Sequence, residues 1–300
     1  MIIAKPFCKR TRKSVRSVAK RLCKIVSIKR MAKPSPRRGK EDNPEIEVIQ
    51  AGGHGDLKKG LKKGTLVKPT SKAEADFYEH IGDYLPAELL PFTPKCFSIS
   101  ETDGKSAVTI TLEDLTHGMA RPCVMDLKMG RTTIAPGAHL AKKMLMTAKD
   151  KLSTTHDLGF RLAGARFWND KDGEYTVYSN SHGARIHASD MQDELEAFFN
   201  TGSGLRVELI KKFRADIKII KKWFAVQKKW GFVGNSLLFV YDASSSTPKY
   251  RLAMIDFAHV YKSDSIDDGY LFGLQNIKQY LKNIITVDTN NDTSKKGHKK

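Results

Sequence analysis

Two apolar runs near the C-terminal end constrain this chain most. Ser236-Leu237-Leu238-Phe239-Val240-Tyr241 and Arg251-Leu252-Ala253-Met254-Ile255 are too apolar to face water and too short for ordinary helices, and Asp242 to Pro248 between them is rich in turn-forming residues. They read as a hairpin of buried strands. Such a hairpin is not stable alone, so it requires a larger sheet and a covering layer. Its second strand runs into Asp256, which delivers a carboxylate to the rim of a core.

The chain has 300 residues, 40% of them hydrophobic and 9% aromatic, enough for one large domain or two lobes. Its formal net charge of +19 is unevenly placed: residues 1–40 hold 15 Lys or Arg and no Asp or Glu, leaving 37 basic against 33 acidic groups elsewhere. The body is therefore nearly neutral, and the basic character belongs to an arm. Four readings of that arm stand: nuclear-import or polyanion binding, an organelle transit peptide, a basic amphipathic segment for membranes or calmodulin, and a solvated tail. The longest stretch without a charged residue, Trp230 to Tyr241, has 12 residues, too few for a membrane-spanning helix. The four cysteines, Cys8, Cys23, Cys96 and Cys123, form no CxxC pair, which points to reduced thiols, no zinc site and a nuclear or cytoplasmic compartment.

Between the arm and a polar tail from Asp288, the first part of the body holds short β-type runs at Ile46 to Ile49, Gly64 to Lys68 and Ala107 to Leu112. One helix interrupts them, from Lys72 to Tyr84, with Ala73, Phe77, Ile81 and Tyr84 at helical spacing and Pro86 ending it. The second part is richer in helix. From Val207 to Trp230, Leu209, Phe213, Ile217, Ile220 and Phe224 recur every three or four residues with lysines between, the pattern of an amphipathic core helix with a solvated face. Ser189-Asp190-Met191-Gln192 fits a capping box that opens a shorter helix.

No GxSxG, HExxH, paired Cys/His cluster or Walker loop is present, so hydrolase, zinc and P-loop chemistry lack support. The remaining pattern suits phosphoryl transfer. In Pro122 to Gly130 the apolar residues alternate with Asp126 and Lys128, and a strand places that acid and base on one face. Lys68 closes a small strand just before a helix carrying Glu74 and Asp76, as a phosphate-cradling lysine and its orienting acid would. Asp256 at a strand end is a common place for a metal-binding acid in kinase-like folds. Singly, each is as ordinary as a turn residue or a solvated lysine.

In combination, Pro-x-x-x-Asp-x-Lys-x-Gly at 122–130, Ser236-Leu237-Leu238 and Ile255-Asp256-Phe257-Ala258-His259 resemble the signature of the inositol polyphosphate kinase family. The resemblance runs from Gly52-Gly53-His54-Gly55 to Leu281. It takes in Leu112-Glu113-Asp114-Leu115-Thr116-His117 and Asp267 to Leu274, and the run Met254 to Tyr261 is most similar to the family's multikinase branch.

The resemblance implies an α+β, two-lobed, protein-kinase-like fold with a small mixed-sheet N-lobe and a larger helix-rich C-lobe, binding ATP and Mg²⁺. It divides the chain into a disordered arm (1–45), the N-lobe (46–118), the C-lobe (119–287) and a disordered tail (288–300). It implies ATP contacts at Lys68, Asp76, Glu113, Leu115, Asp126 and Asp256, with the metal on Asp256 and catalysis by Asp126, Lys128 and Asp256. Lys128, Lys142, Lys149, Arg166 and His259 fall where the family contacts inositol phosphates. The position expected to pair with Lys68 is Glu in the family and Asp76 here, with Glu74 nearby. Leu145 and Met146 stand where polar side chains would grip the ring. The implied activity is phosphorylation of inositol trisphosphate and tetrakisphosphate toward the pentakisphosphate. A monomer in nucleus and cytoplasm is expected beside it, with an organelle transit peptide as the alternative. A kinase confined to the trisphosphate or the hexakisphosphate is the alternative within the class. Outside it stands a scaffold that binds nucleic acid or chromatin through its arm, and polyanion or import-receptor binding by residues 1–40 is compatible with either.

Overall fold

The computed structural model describes residues 57–101 and 108–297, apart from the side chains of Lys142 and of residues 288–297. The basic arm, the Ile46 to Ile49 run and the Gly52 to Gly55 segment lie outside the described residues.

The smaller lobe is a four-stranded antiparallel sheet in the order β1 (Lys58–Lys59), β2 (Thr65–Thr70), β4 (Val108–Glu113), β3 (Cys96–Glu101). Between β2 and β3 run helix α1 (Lys72–Glu79), a single turn α2 (Ile81–Tyr84) and a 3-10 turn at Ala87–Phe92. Ser71 starts α1, its hydroxyl accepting a hydrogen bond from the Glu74 backbone N–H at 3.2 Å. The buried face of α1 is Glu74, Ala75, Phe77 and Tyr78, while Ala73, expected on it, is exposed. The helix expected to run unbroken to Tyr84 is interrupted at His80. Tyr84 turns back so that its hydroxyl donates to Asp76 Oδ2 at 2.9 Å, and its ring packs 4.5 Å from Trp230.

The larger lobe is built on a five-stranded antiparallel sheet ordered β10 (Tyr250–Ile255), β9 (Ser236–Asp242), β5 (Pro122–Met129), β6 (Phe160–Asn169), β7 (Glu174–Tyr178). The apolar hairpin forms as its sequence requires, with Ser236 opposite Ile255 and Tyr241 opposite Tyr250. The Asp-x-Lys strand, β5, lies at the centre of this sheet, paired on both edges. Five helical segments accompany it: α3 (Leu140–Lys151), α4 (Thr155–Leu158), α5 (Asn180–Gly183), α6 (Met191–Phe199) and α7 (Val207–Phe224). A two-stranded ribbon of β8 (Trp230–Phe232) and β11 (Val260–Lys262) and the long helix α8 (Asp268–Gly297) complete the lobe.

Helix α7 buries Leu209, Phe213, Ile217, Ile220 and Phe224 as its periodicity predicts, and Phe224 stacks on Tyr270 of α8 at 4.1 Å. It ends at Phe224 rather than Trp230, because Gln227 bonds the Trp230 backbone at both N–H and carbonyl and turns the chain into β8. Helix α6 opens at Met191, but its N-cap Asp190 makes no side-chain cap; the Ser189 hydroxyl donates to Asp190 Oδ1 instead of capping the helix. The backbone from Asp288 to Gly297, read as a disordered tail, continues α8, since extending a helix costs far less than nucleating one.

Candidate active site

Six charged side chains distant in sequence converge where the two lobes meet. Lys68, on β2, donates from Nζ to Glu74 Oε1 at 2.8 Å and to Asp256 Oδ1 at 2.8 Å. Lys128 on β5 approaches the other oxygen of the same carboxylate, Nζ to Oδ2 at 3.9 Å, and donates to the Gly234 carbonyl at 3.0 Å. One carboxylate therefore bridges the two lysines. Asp126 lies on the same face of β5 as Lys128, and Arg161 on β6 stands directly across from Lys128.

The backbone holds Asp256 in an unusual conformation. With φ +65, it is the only non-glycine with positive φ among the described residues, a conformation that costs roughly 1–2 kcal/mol for an L residue. Surrounding bonds impose it. Asn235 donates to the Ile255 carbonyl and accepts from the Tyr270 hydroxyl at 2.7 Å. On the other side, the Phe257 N–H donates to Glu74 Oε1 at 3.1 Å, and its ring stacks on Phe77 of α1 at 3.9 Å. The peptides on both sides of Asp256 are thus anchored, one to the C-lobe core and the other to the N-lobe helix.

Glu74 is the acid that Lys68 uses. Asp76, expected in that place, points the other way: it is exposed and bonded by Tyr84. The reason is helical geometry, because two residues along an α-helix turn a side chain about 200° away. Glu74, at the third position of a helix capped by Ser71, faces the cleft, and its second oxygen takes the Thr70 hydroxyl. The Ser-x-x-Glu signature at 71–74 was the sequence signal for this residue.

Burial, then the neighbouring Asp256 charge, push Asp126 up to about 6, against the pull of Lys128, Ser236 and Arg161. Ser236 Oγ lies near Asp126 yet outside hydrogen-bond geometry, so the buried Oδ1 of Asp126 has no partner. Burial pulls Lys68 down, but Asp256 and Glu74 outweigh it, and its ammonium is held above its ordinary value. Arg161 is lowered by burial, partly offset by Asp126 and Asp150, and donates to Asn180 Oδ1 at 3.3 Å. A bulge in β6, where Asp126 faces Gly164 and Leu127 faces Leu162, re-aims this strand beside the acid.

Other expected residues are placed as follows. His259 is exposed and lies beside Gly234, the residue whose carbonyl takes Lys128. Glu113 ends β4, its carboxylate held by Arg251 at 3.0 Å, and Leu115 sits in the turn that leads to β5. Lys149 is exposed on α3; the Lys142 side chain lies outside the described residues. Arg166 is not brought to Lys128: it pairs with Val124 farther along the strand, and its guanidinium covers the Tyr175 ring at 3.6 Å. The arginine across from Lys128 is Arg161. Asn235, Arg161 and Asp150 were missed, since each acts through partners that only the folded chain brings near.

Among the described residues no three His, Cys, Asp or Glu side chains group as a metal-holding set. Of the three carboxylates at this junction, that of Asp256 is part-exposed, whereas Glu74 and Asp126 are buried. That fits Mg²⁺, which commonly takes one or two carboxylates and completes its shell with phosphate oxygens and water.

The chain is similar to several known proteins. Residues 109–282 match the family model described as inositol polyphosphate kinase. An inositol polyphosphate multikinase of Schizosaccharomyces pombe is 30% identical over 256 residues, covering 76% of this chain and 93% of the relative. That of Rattus norvegicus is 29% identical over 193 residues, covering 61% of this chain and 48% of its own length. The chain thus spans nearly all of the fission yeast protein and about half of the rat one. The fold is shared with the crystal structure of inositol phosphate multikinase Ipk2 from S. cerevisiae in complex with ADP and Mn²⁺, at TM-score 0.64 and 20% identity, over 74% of this chain and 99% of that one.

Proposed function

Since the chain belongs to the inositol polyphosphate kinase family, we propose that it is an ATP- and Mg²⁺-dependent multikinase, phosphorylating inositol trisphosphate and tetrakisphosphate toward the pentakisphosphate. The observation that carries this reading is the single carboxylate of Asp256 bridging Lys68 and Lys128 across the lobe junction.

Phosphoryl transfer asks a protein mainly for in-line positioning and for neutralisation of charge on the moving group. Lys68, locked by Glu74, holds the nucleotide phosphates, while Glu113 and Leu115 receive the adenine through their backbone groups. Lys128 lies beside the transferred group. Mg²⁺ bound at Asp256 supplies additional neutralisation of phosphate charge. The attacking hydroxyl oxygen forms the new P–O bond as the bond to the β-phosphate oxygen breaks, and ADP leaves. The hydroxyl proton passes to Asp126, whose value of about 6 makes it a competent acceptor at neutral pH. Arg161, Lys149, Lys142 and His259 hold the substrate's other phosphates, with Arg161 suited to bidentate contact.

Incubation with ATP, Mg²⁺ and inositol trisphosphate, with products resolved by anion exchange, tests this. Sequential tetrakis- and pentakisphosphate peaks, absent with Asp256→Ala, support it. A single tetrakisphosphate restricts the enzyme to 3-kinase activity, and phosphorylation of the hexakisphosphate alone places it with the other alternative. We further propose that residues 1–40 bind polyanions or an import receptor, which their 15 basic and no acidic residues support, and that the enzyme is a monomer of nucleus and cytoplasm. Deleting them is expected to abolish polyanion binding and spare turnover.

A further inference from the structure

The two lobes are also joined at a second place, at the far end of the strand that leads into Asp256. Arg251, near the start of β10, reaches from the larger lobe to the smaller. One guanidinium nitrogen donates to Glu113 Oε1 at 3.0 Å and the other to the Pro91 carbonyl at 3.4 Å. Glu113 closes β4, and Pro91 lies in the 3-10 turn that leads to β3. The other oxygen of the same carboxylate, Oε2, accepts from the Lys95 N–H at 3.3 Å, while the Glu113 N–H donates to the Lys95 carbonyl at 2.8 Å. The next residue, Asp114, donates its N–H to the Gly64 carbonyl at 3.0 Å. Within its own lobe the turn after β4 is thus fixed beside β3 and to the segment before β2, and Arg251 attaches it to the other lobe.

Arg251 and Asp256 are five residues apart along an extended chain, a span of about 17 Å. Arg251 lies opposite Val240 and Ile255 opposite Ser236, so the strand is paired with β9 over this whole length and makes a stiff mount. One strand therefore ends in the metal-binding carboxylate and grips, at its other end, the turn assigned to adenine. We propose that Arg251 is a positioning residue for the nucleotide: by tying Glu113 and Pro91 to β10, it holds the adenine-receiving turn at a set distance from Asp256. This rests on the reading of Glu113 and Leu115 given above. A planar, forked cation suits the task, because its two acceptors belong to different segments and a lysine ammonium is a point charge. Lys128 and the peptides on both sides of Asp256 have other anchors, namely the Gly234 carbonyl, Asn235 and Glu74. Loss of the Arg251 bonds should therefore weaken nucleotide binding and spare the chemical step.

In Arg251→Met, which keeps an unbranched apolar stem but no donor, KM for ATP is expected to rise about tenfold, with kcat and KM for inositol trisphosphate within about twofold of the unsubstituted chain. Arg251→Lys, which keeps the charge but not the fork, is expected to fall between the two. Calorimetric binding of ATP with Mg²⁺ to the full chains is expected to show the same order without turnover. Unchanged KM and affinity for ATP in Arg251→Met overturn the proposal. A parallel rise in both KM values, or a fall in kcat alone, also overturns it, since a merely structural contact gives that pattern. Where a thermal melt shows Arg251→Met unfolded, an Arg251→Lys chain that binds ATP as tightly as the unsubstituted one overturns it equally. An unsubstituted chain that binds ATP but phosphorylates no inositol phosphate is not a multikinase, and the ATP affinities alone then decide the role of Arg251.

Discussion

At the lobe junction, Lys68, Glu74, Asp256 and Lys128 hold one another at 2.8–3.9 Å, whereas the adjoining helix α3 is fastened to the thread before it through one carboxylate, Asp150. The first arrangement draws on both lobes and is braced by core side chains: Phe257 on Phe77, and Asn235 between Ile255 and Tyr270. The second presents most of its surface to water. The charged cluster is therefore preorganised by the same packing that stabilises the fold, while α3, which we propose as part of the wall that meets the substrate, can vary without disturbing it. Departures from the family pattern fall accordingly: Leu145 and Met146 are on α3, whereas the lysine–acid arrangement survives through Glu74.

The largest effects should come from breaking the rigid centre. Asp256→Ala and Lys128→Ala are each expected to lower kcat by about 10³ or more, the scale of losing a preorganised charge at the reacting group. Both should leave the fold intact, because the carboxylate is part-exposed and its backbone is held by neighbours; circular dichroism with a thermal melt checks this. A near-normal rate in either variant would remove that residue from the centre. Next in size, Glu74→Gln should reduce kcat/KM for ATP about 30-fold or more, by loosening Lys68 and the Phe257 peptide together. Asp76→Asn, on the far side of the same helix, should stay within about twofold, as surface changes usually do. Equal losses in the two would restore Asp76 to the site.

Asp126 ties stability to activity. Its carboxyl is raised when folded, so the folded chain binds more protons than the unfolded one between about pH 4 and 6. This contribution to stability is therefore complete below pH 4, falls as pH rises through about 6, and is absent at neutral pH. Asp126→Asn should remove the cost, raising the melting temperature at pH 7 by a few degrees, with a gain of up to about 3 kcal/mol that disappears near pH 4. The same variant should lose most turnover. In the unsubstituted protein kcat should fall as pH drops through about 6, as expected if the ionised carboxylate is the proton acceptor.

Legibility in the sequence followed the same division. Lys68, Asp126, Lys128 and Asp256 were readable because each sits in or closes an apolar strand, where a charge is conspicuous and period-two geometry fixes its face. The hairpin was readable from its apolar runs, and α7 from apolar residues recurring every three or four positions. Arg161 was hidden because a β6 bulge sets which arginine lies across from Lys128, and no local pattern announces that register. Asn235 was hidden because its partners, Ile255 and Tyr270, are 20 and 35 residues away. The break at His80 and the end of α7 at Phe224 depend on side chains folding back onto their own backbone, a competition that propensity does not resolve.

Two smaller predictions probe the substrate side. Arg161→Ala should raise KM for inositol trisphosphate about tenfold, while Arg166→Ala, whose guanidinium is engaged by Tyr175, should raise it less; the reverse order would return Arg166 to the phosphate wall. Asp150→Ala removes the three hydrogen bonds that tie α3 to Thr132 and Thr133 and lowers the negative charge beside Arg161. A loosened wall should weaken the grip on inositol phosphate without touching the nucleotide, giving an approximately threefold rise in KM for the inositol substrate, an unchanged KM for ATP and faster hydrogen exchange in α3. Stability should fall by only about 1–3 kcal/mol, the cost of unsatisfying buried groups at a surface element. If KM for ATP rose in parallel, α3 would be coupled to the rigid centre, and the contrast between a fixed chemical floor and an adaptable wall would not hold.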